Sequence, residues 1–133
     1  KSTGAYDQGI GETEDVLTIF KWLQKQVPDY KIWLAGFSFG SYVAARANQA
    51  WPVEKLVTVA PPVVNFDFSQ LKMPESNWIL VQGDADEIVD PKAVFSWAES
   101  LAHPPEIIRI EGATHFFHGH LTLLRDLLVK ALA

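Results

Sequence analysis

The run Ile32-Trp33-Leu34-Ala35 passes directly into Gly36-Phe37-Ser38-Phe39-Gly40, and from there into a stretch of small residues from Ser41 to Ala50. An apolar run, a glycine-flanked serine and a helix-favouring segment in that order read as a strand, a sharp turn and a helix, with Ser38 at the bend. Gly36 and Gly40 fit such a turn, because a side chain at either place is expected to strike neighbouring backbone when the serine is thrust outward. At ordinary glycine and serine usage, G-x-S-x-G arises by accident in about one chain of this length in a few dozen. The order of strand, bend and helix, more than the motif alone, makes Ser38 the leading nucleophile candidate. The bland alternative is a strand-to-helix turn whose glycines only permit close packing.

A serine hydroxyl is a poor nucleophile near neutral pH, so Ser38 needs a histidine to take its proton and a carboxylate to orient that histidine. Ile107-Ile108-Arg109-Ile110 reads as a strand, and the turn after it, Gly112-Ala113-Thr114-His115, puts a histidine at the strand's C-terminal end. Trp78-Ile79-Leu80-Val81 reads as another strand and leads into an acidic loop from Gly83 to Asp90. With Asp86 as the acid, the chain order is Ser38, Asp86, His115, the serine, acid, histidine order of one well-known hydrolase architecture.

On these motifs the chain resembles the α/β-hydrolases, and the resemblance runs over essentially all 133 residues. The phrases Gly9 to Asp15, Ala60-Pro61-Pro62, Phe66 to Ser69 and Gly112 to Gly119 resemble a group of compact bacterial hydrolases of this superfamily whose substrates are poorly defined. The resemblance implies a parallel sheet of about four strands flanked by helices, near 31–36, 55–60, 77–82 and 106–110, forming the C-terminal part of the fold. The elbow strand is usually the fifth of about eight in the family, and Lys1-Ser2-Thr3-Gly4 resembles the tail of a segment after the fourth. Residues 1–133 are thus expected to be one partial domain. Its elbow strand, apolar on both faces, would have an unpaired edge open to self-association.

The family pattern of glycine, two residues, aspartate and a short apolar pair selects Asp86 as the acid. Asp84, placed directly after Gly83 where a turn aspartate often bonds nearby backbone, is the alternative. Asp90 before Pro91 reads as a helix cap, and Glu87 as a solvated loop charge. The backbone N–H of Phe39, at the start of the helix after the bend, is the expected oxyanion donor. In the family a second donor comes from a loop well upstream of the nucleophile, for which these residues show no counterpart. His118 is expected to open the last helix and His120 to lie in its first turn, while His103 reads as a helix-end residue. There is no zinc-ligand spacing and no cofactor motif, so neither a metal nor a cofactor is expected.

The implied function is a serine hydrolase cleaving a carboxylic ester of a small acyl substrate. A thioesterase, a small serine peptidase or a non-catalytic binding protein of the same fold are the alternatives. The net charge of -5 leaves no basic stripe for nucleic acid, and there is no long apolar run for a membrane. Zero cysteines fit a cytoplasmic protein. With 48% hydrophobic residues, five Trp and eight Phe, the chain can build a sizeable core. Helical spacing recurs at Val16, Ile19, Phe20, Leu23 and at Leu121, Leu124, Leu128. The unpatterned segment from Val63 to Pro74 could border a substrate pocket, with at least one of Phe66 and Phe68 expected in the core.

Overall fold

Short apolar runs separated by amphipathic helices can bury both of their faces only inside a parallel sheet covered by those helices. The computed structural model describes residues 3–133 and has this arrangement. In chain order the elements are α1 (Ile10–Gln26), β1 (Trp33–Phe37), α2 (Phe39–Ala50), β2 (Lys55–Val59), β3 (Trp78–Gly83), α3 (Pro91–Ser100), β4 (Glu106–Ile110) and α4 (Leu121–Leu132). The four strands are parallel and adjacent in the order β1-β2-β3-β4. β1 begins one residue into its apolar run and two later than the expected start near 31, because Lys31 and Ile32 precede the first pairing, of Trp33 with Lys55.

Strand alternation divides the core in two. On one face Leu56, Trp78 and Leu80 pack with Ala44 of α2 and with Val94 and Ala98 of α3. On the other, Val57, Val59, Ile79, Val81 and Ile110 pack with Leu124, Leu127 and Leu128 of α4. Alanines on α2 let the helix lie close to the sheet, and Ala47 has no exposed surface. Trp78 meets the polar requirement of its buried indole by donating to Thr58 Oγ1 at 3.0 Å. α1 packs on α2, with Phe20 edge-on to Trp51 at 5.9 Å. Ile19, at core spacing in the sequence, is exposed on the outer side of α1.

β3, flanked on both sides, is buried at all six positions, whereas β1 alternates between exposed and half-buried. Trp33, Ala35 and Phe37 point to the face that α4 covers further along the sheet, leaving Trp33 54% and Phe37 41% exposed. The elbow strand, apolar on both faces, is thus left partly uncovered on one of them. Among the described residues, β1 is an edge strand and no helix is long and apolar enough to cross a membrane. Lys1 and Ser2, invoked in the reading of the N-terminal segment, lie outside the described residues.

Candidate active site

β1 ends at Phe37, α2 starts at Phe39, and Ser38 alone makes the bend, with φ 52° and ψ -121°. A non-glycine residue with such angles costs about 1–3 kcal/mol and persists only where its surroundings hold it. Here Ser38 N–H donates to Val59 O at 2.8 Å, tying the bend to the end of β2. Ser38 O accepts from Ser41 N–H at 2.9 Å and from Ser41 Oγ at 2.6 Å, and Ser41 is fully buried. The Ser38 hydroxyl is left at the C-terminal end of the sheet, where parallel α/β sheets form their clefts.

The two glycines of the bend are not equivalent. A Cβ on Gly36 would overlap the backbone of Gly40 and Ser41, whereas one on Gly40 would meet nothing within 4 Å. The steric need expected at both positions holds at Gly36 alone, because Gly40 lies in the first turn of α2 and its missing side chain points into open space. Gly36→Ala should therefore lower the melting temperature sharply or abolish soluble expression, while Gly40→Ala should melt close to wild type. Thermal unfolding of the two variants checks this.

Two further loops reach the serine. His115 Nε2 lies 3.1 Å from Ser38 Oγ, and His115 Nδ1 lies 2.8 Å from Asp86 Oδ2. Both His115 and Asp86 are buried. Asp86 also accepts from Ile88 N–H at 2.8 Å and Val89 N–H at 2.7 Å through Oδ1, and from Gln82 Nε2 at 3.2 Å through Oδ2. Burial opposes ionisation of Asp86, but the bonds from Val89, His115, Ile88 and Gln82 outweigh it and hold the carboxyl below the usual aspartate value of 3.8. A carboxylate can only accept, so His115 carries its proton on Nδ1 and turns a bare Nε2 toward the serine hydroxyl.

The lowered value has a consequence for acid stability. A carboxyl with a depressed folded-state pKa adds stability that is complete above its unfolded value and is lost as pH falls through the folded one. Unfolding temperature should hold steady as pH is lowered toward 3.8 as far as Asp86 is concerned, then drop below it. Melting curves recorded from about pH 6 to about pH 3 should show a shallower acid fall for Asp86→Asn than for the wild type.

Asp84, the alternative acid, does not meet the imidazole. It accepts from Gly112 N–H at 2.7 Å and from Arg109 at 3.1 Å, and these contacts, led by Gly112 and opposed by partial burial, also lower its pKa. The bond is thus to a turn 28 residues away and not to nearby backbone. Glu87 is exposed but is more than a solvated charge, since its Oε2 accepts from His115 N–H at 3.1 Å. Asp90 caps α3 by accepting from Lys92 N–H at 3.0 Å, with Pro91 as the first helical residue.

His118 does not open the last helix. Phe117 and Gly119 have φ of 56° and 76°, so the chain is not yet helical there, and α4 starts at Leu121 with His120 as the flanking residue. His120 Nδ1 lies 3.1 Å from His118 O, a contact within the turn. His103 is exposed and sits beyond the end of α3. Among the described residues no group of three His, Cys, Asp or Glu is placed to hold a metal ion.

Phe39 is the first residue of α2, so its N–H is one of the helix's unpaired donors, next to Ser38 and at the positive end of the helix dipole. Beside it opens a cleft of about 350 Å³ lined by Ser38, Phe39, Pro62, Asn65, Phe66, Ile88 and Val89. The unpatterned segment supplies part of this wall. Phe66 stacks at 5.4 Å on Phe39, while Phe68 is buried against Tyr42 and Trp97. Phe37 and Phe116 lie with ring centres 5.0 Å from the His115 ring and 5.9 Å from each other, a pair packed against one part of it. Gln82 escaped the sequence reading, although a polar residue ending the apolar run Trp78 to Val81 was the available signal.

No family model matches the chain. It is 32% identical over 126 residues to an uncharacterised protein of Rickettsia prowazekii, RP471, spanning 87% of this chain and 53% of that one. It is similar to XC6422 of Xanthomonas campestris, described as an α/β serine hydrolase without a lid, at 44% identity and a TM-score of 0.92, over 96% of this chain and 58% of that one. An α/β serine hydrolase homologue from Coxiella burnetii superposes with a TM-score of 0.94 at 44% identity, over 100% of this chain and 64% of that one. The chain thus spans between half and two thirds of the length of these relatives.

Proposed function

Because the chain belongs to the α/β-hydrolase superfamily, we propose that it acts as a serine hydrolase on carboxylic esters with uncharged, apolar acyl groups. The observation that carries the reading is the relay from Ser38 Oγ through a buried imidazole to a buried carboxylate, with contacts of 3.1 and 2.8 Å. Ser38 Oγ attacks the acyl carbonyl while its proton passes to His115 Nε2. Asp86 stabilises the imidazolium that forms, and Phe39 N–H at the head of α2 donates to the developing oxyanion. Collapse of the tetrahedral species expels the alcohol, which takes the proton from His115 and leaves Ser38 acylated. Water, deprotonated by His115, attacks the acyl-serine; the new tetrahedral species then releases the carboxylic acid as Ser38 Oγ regains a proton from His115.

The substrate class rests on the cleft. Among the described residues its lining contains no charged side chain, and Phe39, Phe66, Pro62, Ile88 and Val89 present carbon to whatever sits beside Ser38. Such a wall favours an apolar acyl group and leaves a charged one without a partner for its lost hydration.

The test is covalent. An alkyl fluorophosphonate should label the natural protein on Ser38, as mapped by peptide mass spectrometry, and Ser38→Ala should not be labelled. Absence of labelling in the wild type would favour a non-catalytic binding protein of the same fold.

A further inference from the structure

The loop after β3 and the turn after β4 are joined by more than the Asp86–His115 contact. Asp84 N–H donates to Ile110 O at 3.2 Å and Ala85 N–H donates to Ala113 O at 3.1 Å. Asp84 Oδ1 accepts from Gly112 N–H at 2.7 Å, its Oδ2 accepts from Arg109 Nη2 at 3.1 Å, and Glu87 Oε2 accepts from His115 N–H at 3.1 Å. Gly83 makes the approach possible, since a Cβ there would collide with the carbonyl of Ala113. The two carboxylates thus hold the first and last residues of the turn Gly112 to His115, and the acid that meets the imidazole lies between them in sequence.

We infer that Asp84 and Glu87 are positioning residues, a pair of carboxylates that fix the backbone of the histidine turn so that the His115 imidazole reaches Ser38 and Asp86 together. The inference rests on the proposed serine chemistry, and it concerns how the base is aimed. Neither carboxylate meets the imidazole ring, so both act through the turn's backbone. The short aspartate grips the near end of the turn and the longer glutamate the far end; the oxygen that holds the turn, Asp84 Oδ1 or Glu87 Oε2, is one that a neutral amide oxygen could replace, although an asparagine at 84 gives up the bonds from Arg109. A base displaced by about 1 Å can lose up to about 100-fold in rate even though the chemistry is intact.

The experiment compares Asp84→Ala/Glu87→Ala with Asp84→Asn/Glu87→Gln in the natural protein. Three readouts are taken: fluorophosphonate labelling rate at Ser38, kcat and KM on a p-nitrophenyl ester, and the proton NMR signal of the His115 Nδ1–H. The alanine pair should lower labelling rate and kcat about 10- to 100-fold with KM little changed, and should broaden or shift the Nδ1–H signal. The amide pair, which keeps the acceptors, should recover most of the rate and the signal. Wild-type rates and an unmoved signal in the alanine pair would overturn the inference. So would equal loss in both pairs, which would assign the effect to the carboxylate charge and its Arg109 contact and not to the hold on the turn. A wild type that does not label would instead count against the serine chemistry itself, while the Nδ1–H signal still reports whether the carboxylates aim the ring.

Discussion

Ser38→Ala and His115→Ala, each made in the natural protein, are expected to remove nearly all ester hydrolysis, on the order of 10⁶-fold in kcat, and the double variant to be little worse than either one. The reason is that both substitutions break the same event. With Ser38 Oγ 3.1 Å from His115 Nε2, proton removal and nucleophilic attack are one step, so losing the acceptor of the proton is equivalent to losing its owner. What survives in every variant is the binding of substrate in the cleft and the field at the head of α2, and that residue of rate is common to all three proteins. Steady-state kinetics with a p-nitrophenyl ester measures the three losses. If they multiplied, Ser38 and His115 would be acting independently, and the relay would have to be abandoned. Among the described residues Ser38 Oγ makes no other hydrogen bond that holds the bend together, so Ser38→Ala should melt near the wild type. His115 is buried and packs against Phe37 and Phe116, so His115→Ala leaves a gap and should melt lower.

The parts of this arrangement that could be read from the chain are those in which a local backbone requirement and a chemical requirement coincide. Gly36 is legible because the bend and the start of α2 collide with any side chain there, and Ser38 because its motif sits between an apolar run and a stretch of small residues. β4 is legible to within one residue: Ile107 to Ile110 reads as a strand and the structure adds Glu106, between two prolines on one side and a glycine turn on the other. The roles of Glu87 and Asp84 were not legible. Their partners are the backbone N–H groups of a turn that lies 28 residues further along the chain, and nothing local to either carboxylate announces them. The start of α4 was not legible, because the spacing of Leu121, Leu124 and Leu128 does not mark where the helix begins, and the left-handed backbone at Phe117 and Gly119 that keeps His118 out of it leaves no such mark. That Trp33 and Phe37 are the exposed residues of the open elbow strand could not be read from the strand itself. An apolar strand looks the same in sequence whether or not a neighbour covers it, and burial is a property of the neighbours.

Asp86→Asn should reduce kcat/KM about 10⁴-fold while leaving the folded protein nearly as stable near neutral pH. The carboxylate has four donors around it: two backbone N–H groups on Oδ1, and His115 Nδ1–H with Gln82 Nε2 on Oδ2. An asparagine must turn its NH₂ toward one of these pairs. The backbone donors of Ile88 and Val89 cannot change, so the amide oxygen stays with them and the NH₂ faces His115 and Gln82. Gln82 can adapt, because its Oε1 is buried without a partner and a flip of the amide presents it to the new donor, at the cost of the present bond from Gln82 Nε2 to Gly83 O. That exchange should cost about 1 kcal/mol. His115 adapts by moving its proton from Nδ1 to Nε2, and this is where activity is lost. The ring then points an N–H at Ser38 Oγ, and a group that already carries its proton cannot accept the serine's. The signature to measure is loss of the Nδ1–H proton resonance together with the fall in kcat/KM and an almost unchanged melting temperature. Asp84→Asn provides the contrast: it retains an acceptor for Gly112 and leaves the His115 tautomer alone, so it should keep most of the activity. If Asp84→Asn were the variant that lost 10⁴-fold, the acid of the relay would be Asp84 and the assignment of Asp86 would fall.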